Sequence, residues 1–324
     1  MNHFAPGVHT ISLPLPWELE SVNVHLVELN DGFLLVDSGV ATEECFETLE
    51  ASLKSGIDGK CIAWTDIKLL CLTHYHPDHI GLASKILELS HARLVMHRIE
   101  AEYLAAVALE NRPPFYAEAM RHAGVPEDMQ ARIERAMRDV RRTFRRYDPD
   151  RILEGGEQIP IRGGTLEAIW TPGHSPGHLC LYSPEHRYLI SGDHLLQYIT
   201  PNIAWHPEED MLAQYLDSLQ RLSSVDVDLI LPSHGEPFRG HAQRITDTAG
   251  HHAARCEEIL RRIAVEPLTA HGLVEQLWQP KLSPFHHHFA VFEIMAHLDY
   301  LERRGEAVAQ FRDGAQYWAP AAGI

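Results

Sequence analysis

Four times along this chain a short apolar run stops at a Gly- or Pro-bearing turn that carries imidazole or carboxylate. Residues 67–73 lead into His74-Tyr75-His76-Pro77-Asp78-His79, and 166–171 into Pro172-Gly173-His174-Ser175-Pro176-Gly177-His178. Residues 188–191 lead into Gly192-Asp193-His194, and 228–231 into Pro232-Ser233-His234-Gly235. Runs this short and this apolar read as buried strands. Pro and Gly alone only mark turns, so one such loop would carry little weight. Four in order, each delivering a metal-type residue, place the chemistry on loops displayed at strand ends by a rigid sheet.

The first loop packs three imidazoles and one carboxylate into six residues. A solvated polar loop is the plain alternative, but none of these side chains favours burial without a partner. Imidazole nitrogen and carboxylate oxygen suit zinc, iron or manganese. No G-x-S-x-G elbow or cysteine nucleophile signature competes for the chemistry.

His74-x-His76-x-Asp78-His79, followed by His174, Asp193 and His234, resembles the motif series of the metallo-β-lactamase-fold hydrolases. Residues 32–39, a strand-like run ending Asp37-Ser38-Gly39, look like the first motif of that series. The match covers roughly residues 8–240. The resemblance implies an α/β chain, an αββα sandwich with a dinuclear site along one edge of its two sheets. One divalent ion would take His74, His76 and His174, the other Asp78, His79 and His234, with Asp193 bridging them. Zn2+ is the expected ion, with iron or manganese compatible. Asp37 would brace the metal loops, or serve as a turn residue. Asp78 would be catalytic, both touching a metal and orienting a bridging hydroxide. The implied reaction is hydrolysis of a carboxylic ester or thioester, in the acyl-thioester or lactone class. The alternatives are an endoribonuclease or phosphodiesterase, and a non-catalytic metal-binding regulatory protein.

Composition narrows the partners. A net charge of −17 over 324 residues argues against a general nucleic-acid-binding surface, so a small acyl substrate is expected in preference to RNA. Cys45, Cys61, Cys71, Cys180 and Cys256 show no paired spacing, which points to reduced thiols and a cytoplasmic setting. No charged leader precedes an apolar stretch and no segment has bilayer-spanning length, so no membrane association is expected. His286-His287-His288 lies in an apolar, helix-like context and reads as surface or core rather than as a metal tract.

Residues 1–247 read as the catalytic domain, with a helical insert at about 90–150 that Asn111-Arg112-Pro113-Pro114 breaks into at least two helices. Ile133, Met137, Val140, Phe144 and Tyr147 form one apolar face there, and Arg135, Arg138, Arg142 and Arg145 another. The arginines are either a solvated face or a clamp for an anionic substrate. Residues 248–324 read as three helices (248–265, 269–278, 285–304) and a hairpin turning at Asp313-Gly314, a winged-helix domain. It resembles the module carried by the branch of the superfamily that contains the lactamase-like endoribonuclease. Its third helix is more apolar than a groove-reading helix, so packing on the catalytic domain or a second subunit is favoured. The insert and the added domain together suggest a homodimer. Trp17, Tyr198 and Trp205 are the expected pocket wall. Homoserine-lactone hydrolases carry a tyrosine three residues after the bridging aspartate; Leu196 stands there, with Tyr198 two further on.

Overall fold

Near-continuous apolar strands require cover on both faces, and the chain provides it with two sheets stacked between helical layers. The computed structural model describes residues 1–110, 115–141, 143–278 and 281–321. The first sheet runs in sequence order through β1 (Asn2–Ala5), β2 (Val8–Pro14), β3 (Ser21–Glu28), β4 (Phe33–Val36), β5 (Ile67–Leu72), β6 (Arg93–His97) and β7 (Arg151–Leu153). It is antiparallel as far as β4 and parallel from there on. The second sheet contains β8 (Gln158–Ile161), β9 (Gly164–Trp170), β10 (Leu179–Ser183), β11 (Tyr188–Gly192) and β12 (Leu229–Pro232), with only the β11–β12 pair parallel.

Side-chain alternation shows how the layers close. In β4 and β5, Leu34, Val36, Leu69 and Cys71 join Leu179, Leu181 and Ile190 of the second sheet in one core. The intervening Leu35, Leu70 and Leu72 face the other way, onto Leu49 of α1 (Glu43–Ser55) and Ile86. A one-residue slip of either strand would exchange these two sets, so register is fixed from both sides. The first metal-type loop ends in four-residue α2 (Pro77–Ile80), which carries Asp78 and His79, and α3 (Ala83–Ser90), which carries Ile86, follows. The outer face of the second sheet, through Cys180, Leu189 and Ile230, packs on α7 (Met211–Ser223) and the C-terminal helices. The fold is therefore the expected αββα sandwich.

The region expected as a helical insert opens with a core strand, β6, whose five residues have no turn signal to separate them from the helices that follow. The helices are α4 (Arg98–Glu110), α5 (Tyr116–His122) and α6 (Glu127–Arg141). The break expected at Asn111-Arg112-Pro113-Pro114, and Arg142 of the arginine stripe, lie outside the described residues. At the C-terminal end come α8 (His241–Ile263), α9 (Ala270–Leu277), α10 (Pro284–Arg303) and the hairpin β13 (Ala307–Arg312) and β14 (Ala315–Pro320). Helix α8 starts seven residues before the expected position, across the 247/248 division. Local signals set the other boundaries. Thr269 and Ser283 cap α9 and α10 by accepting from Gly272 and His286 amides, and Asp313 and Gly314 both adopt positive φ in the hairpin turn. Buried Val291, Ile294, Met295 and Leu298 seat α10 in the same core as α6, α7 and α8, so the apolar third helix packs on the catalytic layer. No described helix is long and apolar enough to cross a membrane.

Candidate active site

The four strand-end loops meet at one edge of the sandwich. His74 follows β5, His174 follows β9, Asp193 follows β11 and His234 follows β12. His74 Nε2, His76 Nδ1 and His174 Nε2 converge with mutual separations of 2.9, 3.2 and 2.9 Å. Beside them, His234 Nε2 lies 3.3 Å from Asp78 Oδ2, and His79 Nε2 lies 3.7 Å from the same oxygen. Asp193 stands between the two groups: its carboxylate is 3.6 Å from His174, 3.5 Å from His234 and 3.5 Å from His79. His74, His76, His174 and Asp193 could hold one ion, and Asp78, His79 and His234 a second.

Several features fit divalent cations. The imidazoles are aimed from behind: His174 Nδ1 donates to Asn202 O at 2.7 Å and His234 Nδ1 to Ser21 O at 2.8 Å, which turns each Nε2 lone pair inward. His79 Nε2 and Asp193 Oδ1 are buried with no hydrogen-bond partner among the described residues. Burial, reinforced by neighbouring imidazoles, holds His76 down to about 3, so this half presents neutral nitrogen donors. In the other half burial also opposes charge, but the carboxylates of Asp193 and Asp78 outweigh it and push His234 up to about 10. For Asp78 burial favours the acid, yet His79 and His234 prevail and bring it down to about 2. The first half is thus a nest of neutral imidazoles, while in the second the ionised carboxylates of Asp78 and Asp193 draw positive charge onto His79 and His234, the place a cation would take.

Asp37 is more than a turn residue. It sits at φ 61°, buried, at the end of β4. Oδ2 accepts from His79 Nδ1 at 2.8 Å, and Oδ1 accepts from the Thr73 amide at 2.8 Å.

Two supports had no assigned role in the sequence. His178, within the quoted second loop, lies under Asp193: its Nε2 accepts the Asp193 amide at 3.1 Å and its Nδ1 meets Thr171 Oγ1 at 2.8 Å. Gly192, at φ 51°, is needed there, since a Cβ would lie 2.5 Å from His178 Nε2. Glu100 of α4 is fully buried and joins the first two loops, accepting from Tyr75 N at 2.7 Å, Ser175 Oγ at 2.8 Å and Gly177 N at 2.6 Å. Burial raises Glu100 to about 7 even though all three hydrogen bonds favour its anion.

A cavity of about 640 Å³ opens from the cluster. Trp17 and Trp205 line it, and α10 contributes Phe285, Phe289 and Phe292. Trp17 stacks on Phe285 with ring centroids 5.7 Å apart, and Phe289 stands 6.4 Å from His76. Tyr198 does not line it, and its side chain is 80% exposed. Arg244 of α8 explains the miss: it donates to the carbonyls of Leu196 and Ile199 at 2.5 and 2.7 Å, turning the intervening backbone so that Leu196 and Ile199 face inward. The arginine stripe also faces away. Met137, Val140 and Phe144 line the cavity, while Arg135, Arg138 and Arg145 are exposed and off its wall.

The Trp205 indole donates to Asp299 Oδ2 of α10 at 2.6 Å. Burial pushes Asp299 from 3.8 up to about 6 against the pull of that bond. A raised carboxyl holds its proton more tightly in the folded chain, so its contribution is intact below pH 3.8 and is lost as pH rises through about 6. Asp299→Asn is therefore expected to melt above wild type at pH 7, with the gap closing by about pH 4. Thermal melts across that range would contradict this if wild type were the more stable at neutral pH.

Comparison with known proteins agrees with this architecture. The family model described as Metallo-beta-lactamase superfamily matches residues 17–234, and that of the metallo-beta-lactamase-like C-terminal domain matches residues 256–319. The chain is 27% identical to the probable metallo-hydrolase YqjP of Bacillus subtilis, over 95% of each protein. It is 24% identical to an atrochrysone carboxyl ACP thioesterase of Aspergillus fumigatus, over 76% of this chain and 61% of that protein. Among solved structures, a beta-lactamase domain protein from Burkholderia ambifaria superposes with a TM-score of 0.85 at 31% identity, covering 98% of this chain and 93% of that one.

Proposed function

Since this chain belongs to the metallo-beta-lactamase superfamily and is a metal-dependent hydrolase, we propose that it cleaves carboxylic thioesters or esters with a bulky, apolar acyl group. The observation that carries this reading is the cavity wall. Trp17, Phe115, Met137, Phe144, Phe289 and Phe292 surround the space above the His/Asp cluster, and among the described residues no Lys or Arg lines it. A phosphodiester backbone would leave its charges unpaired against such a wall, whereas an acyl chain gains about 0.8 kcal/mol per buried methylene. A relative named as an acyl-carrier-protein thioesterase supports the same class.

In this reading His74, His76 and His174 would hold one ion and Asp78, His79 and His234 another, with Asp193 beside both; zinc is the ion proposed for these donors. Such ions, when bound, make a nucleophile of water at neutral pH and polarise the carbonyl under attack. Asp78, kept ionised by His79 and His234, accepts a hydrogen bond from the attacking water and sets its direction. Asn202 and Ser21 carbonyls fix the imidazoles, Glu100 keeps the first two loops in register, and the aromatic wall excludes bulk water. A thiolate is a good leaving group near neutral pH, so a thioester needs less help from a general acid than an alkyl ester does.

The test is a thioester series on one leaving group. Hexanoyl is expected to exceed acetyl by about two decades in kcat/KM, from about 0.8 kcal/mol per buried methylene. Phe289→Ala should erase much of that gap while leaving the acetyl rate in place. A flat chain-length profile, together with salt-suppressed cleavage of labelled single-stranded RNA that disappears in Asp78→Ala, would overturn the proposal in favour of a nuclease.

A further inference from the structure

Imidazole nitrogens also approach closely outside the catalytic cluster, on the C-terminal helices. On α9, His271 and Glu275 stand one turn apart and face His287 of α10. His271 Nδ1 lies 3.0 Å from His287 Nε2, within the range of spacings among the catalytic imidazoles. Glu275 Oε1 lies 3.9 Å from the other nitrogen of His287, and one donor atom from each of the three residues fits within 4.8 Å of the others. We propose that His271, Glu275 and His287 form a second, non-catalytic site for a divalent transition metal, zinc by donor type, that pins α10 to α9.

The surroundings favour an ion here. The His287 side chain is 2% exposed and Glu275 is 30% exposed, so the inner ligands are held while solvent supplies the remaining position. Lys281 pairs with Glu275 Oε2, leaving Oε1 on the His287 side, and its own side chain is 73% exposed and free to withdraw. The other buried cluster, His252, Glu293 and His297, adjoins Arg255, whose side chain is only 16% exposed and has no such retreat. Location gives the site its consequence. The His271 amide donates to Ala123 O at the end of α5, and His286 and His288, on either side of His287, line the catalytic cavity beside Phe285 and Phe289. An ion at this point fixes the first turns of α10 and with them the apolar wall.

The full chain, stripped with a chelator, reloaded with Zn2+ and desalted, gives a zinc count per chain. His271→Ala and Glu275→Gln are each expected to hold one zinc fewer than wild type, and His252→Ala the same number as wild type. Zinc added after the tightest sites are filled should raise the melting temperature of wild type but not of His271→Ala. Equal zinc counts in wild type, His271→Ala and Glu275→Gln would overturn the site, as would loss of the equivalent in His252→Ala instead. Because the count is a difference between variants, it is independent of whether the thioester reading holds.

Discussion

Replacing Asp193 by alanine is expected to lower kcat/KM by at least about 10³-fold, roughly 4 kcal/mol of transition-state stabilisation. Among the described residues it is the side chain placed within 3.6 Å of donors in both halves of the cluster, touching His174, His234 and His79. It is also held for the purpose, with its amide on His178 and its backbone carried on from the positive φ of Gly192. Alanine leaves that backbone in place and removes only the carboxylate that stands between the two groups, so folding should survive. Kinetics on the best thioester, alongside the metal content of the same sample, would test this. Near wild-type turnover with metal bound would sink the assignment of Asp193 as the shared ligand.

Asp37→Ala should be the most destabilising single change near the site, costing about 3–5 kcal/mol. Its carboxylate accepts from the Thr73 amide, the Thr73 hydroxyl and His79 Nδ1, and all of these groups are buried. Alanine strands those donors and must also hold φ at 61°, a region that L side chains other than Asn and Asp avoid. At about 2–4 °C per kcal/mol for a chain of this size, the melting temperature should fall by more than about 6 °C. Asp37→Asn separates the two contributions. Asparagine tolerates the backbone but turns an amide N–H toward one of the donors, so it should recover the strain and only part of the hydrogen bonding. A melt of Asp37→Ala within about 2 °C of wild type would show that the brace is not structural.

What could be read from the sequence was local. An apolar run and the turn that ends it are adjacent in the chain, so all four donor loops stood out, and the same adjacency exposed the Asp313-Gly314 hairpin. Asp37 came from the resemblance of residues 32–39 to a known motif, with a turn residue as the alternative. The features that escaped depend on partners far along the chain. Nothing near Glu100 announces that its carboxylate will meet Tyr75, Ser175 and Gly177. Tyr198 was misplaced because its direction is set by Arg244, a residue of another element. The insert's arginines were conspicuous as a pattern, but periodicity gives two faces without saying which one meets the cavity. Burial of Ile133 and Met137 decided it, and the apolar face turned inward.

The position of α10 has a temporal meaning. His234, the last member of the metal-type cluster, is synthesised before Phe285, Phe289 and Phe292, which wall the cavity above it. During translation the residues of the chemical centre are therefore all present while the cavity wall, which already has Trp17, Phe115, Met137 and Phe144, still lacks its α10 side. An emerging chain would carry reactive groups open to water on the side that later grips the substrate. The wall is complete only when α10 leaves the ribosome and seats against α6 and α7. Selectivity would thus mature later than reactivity.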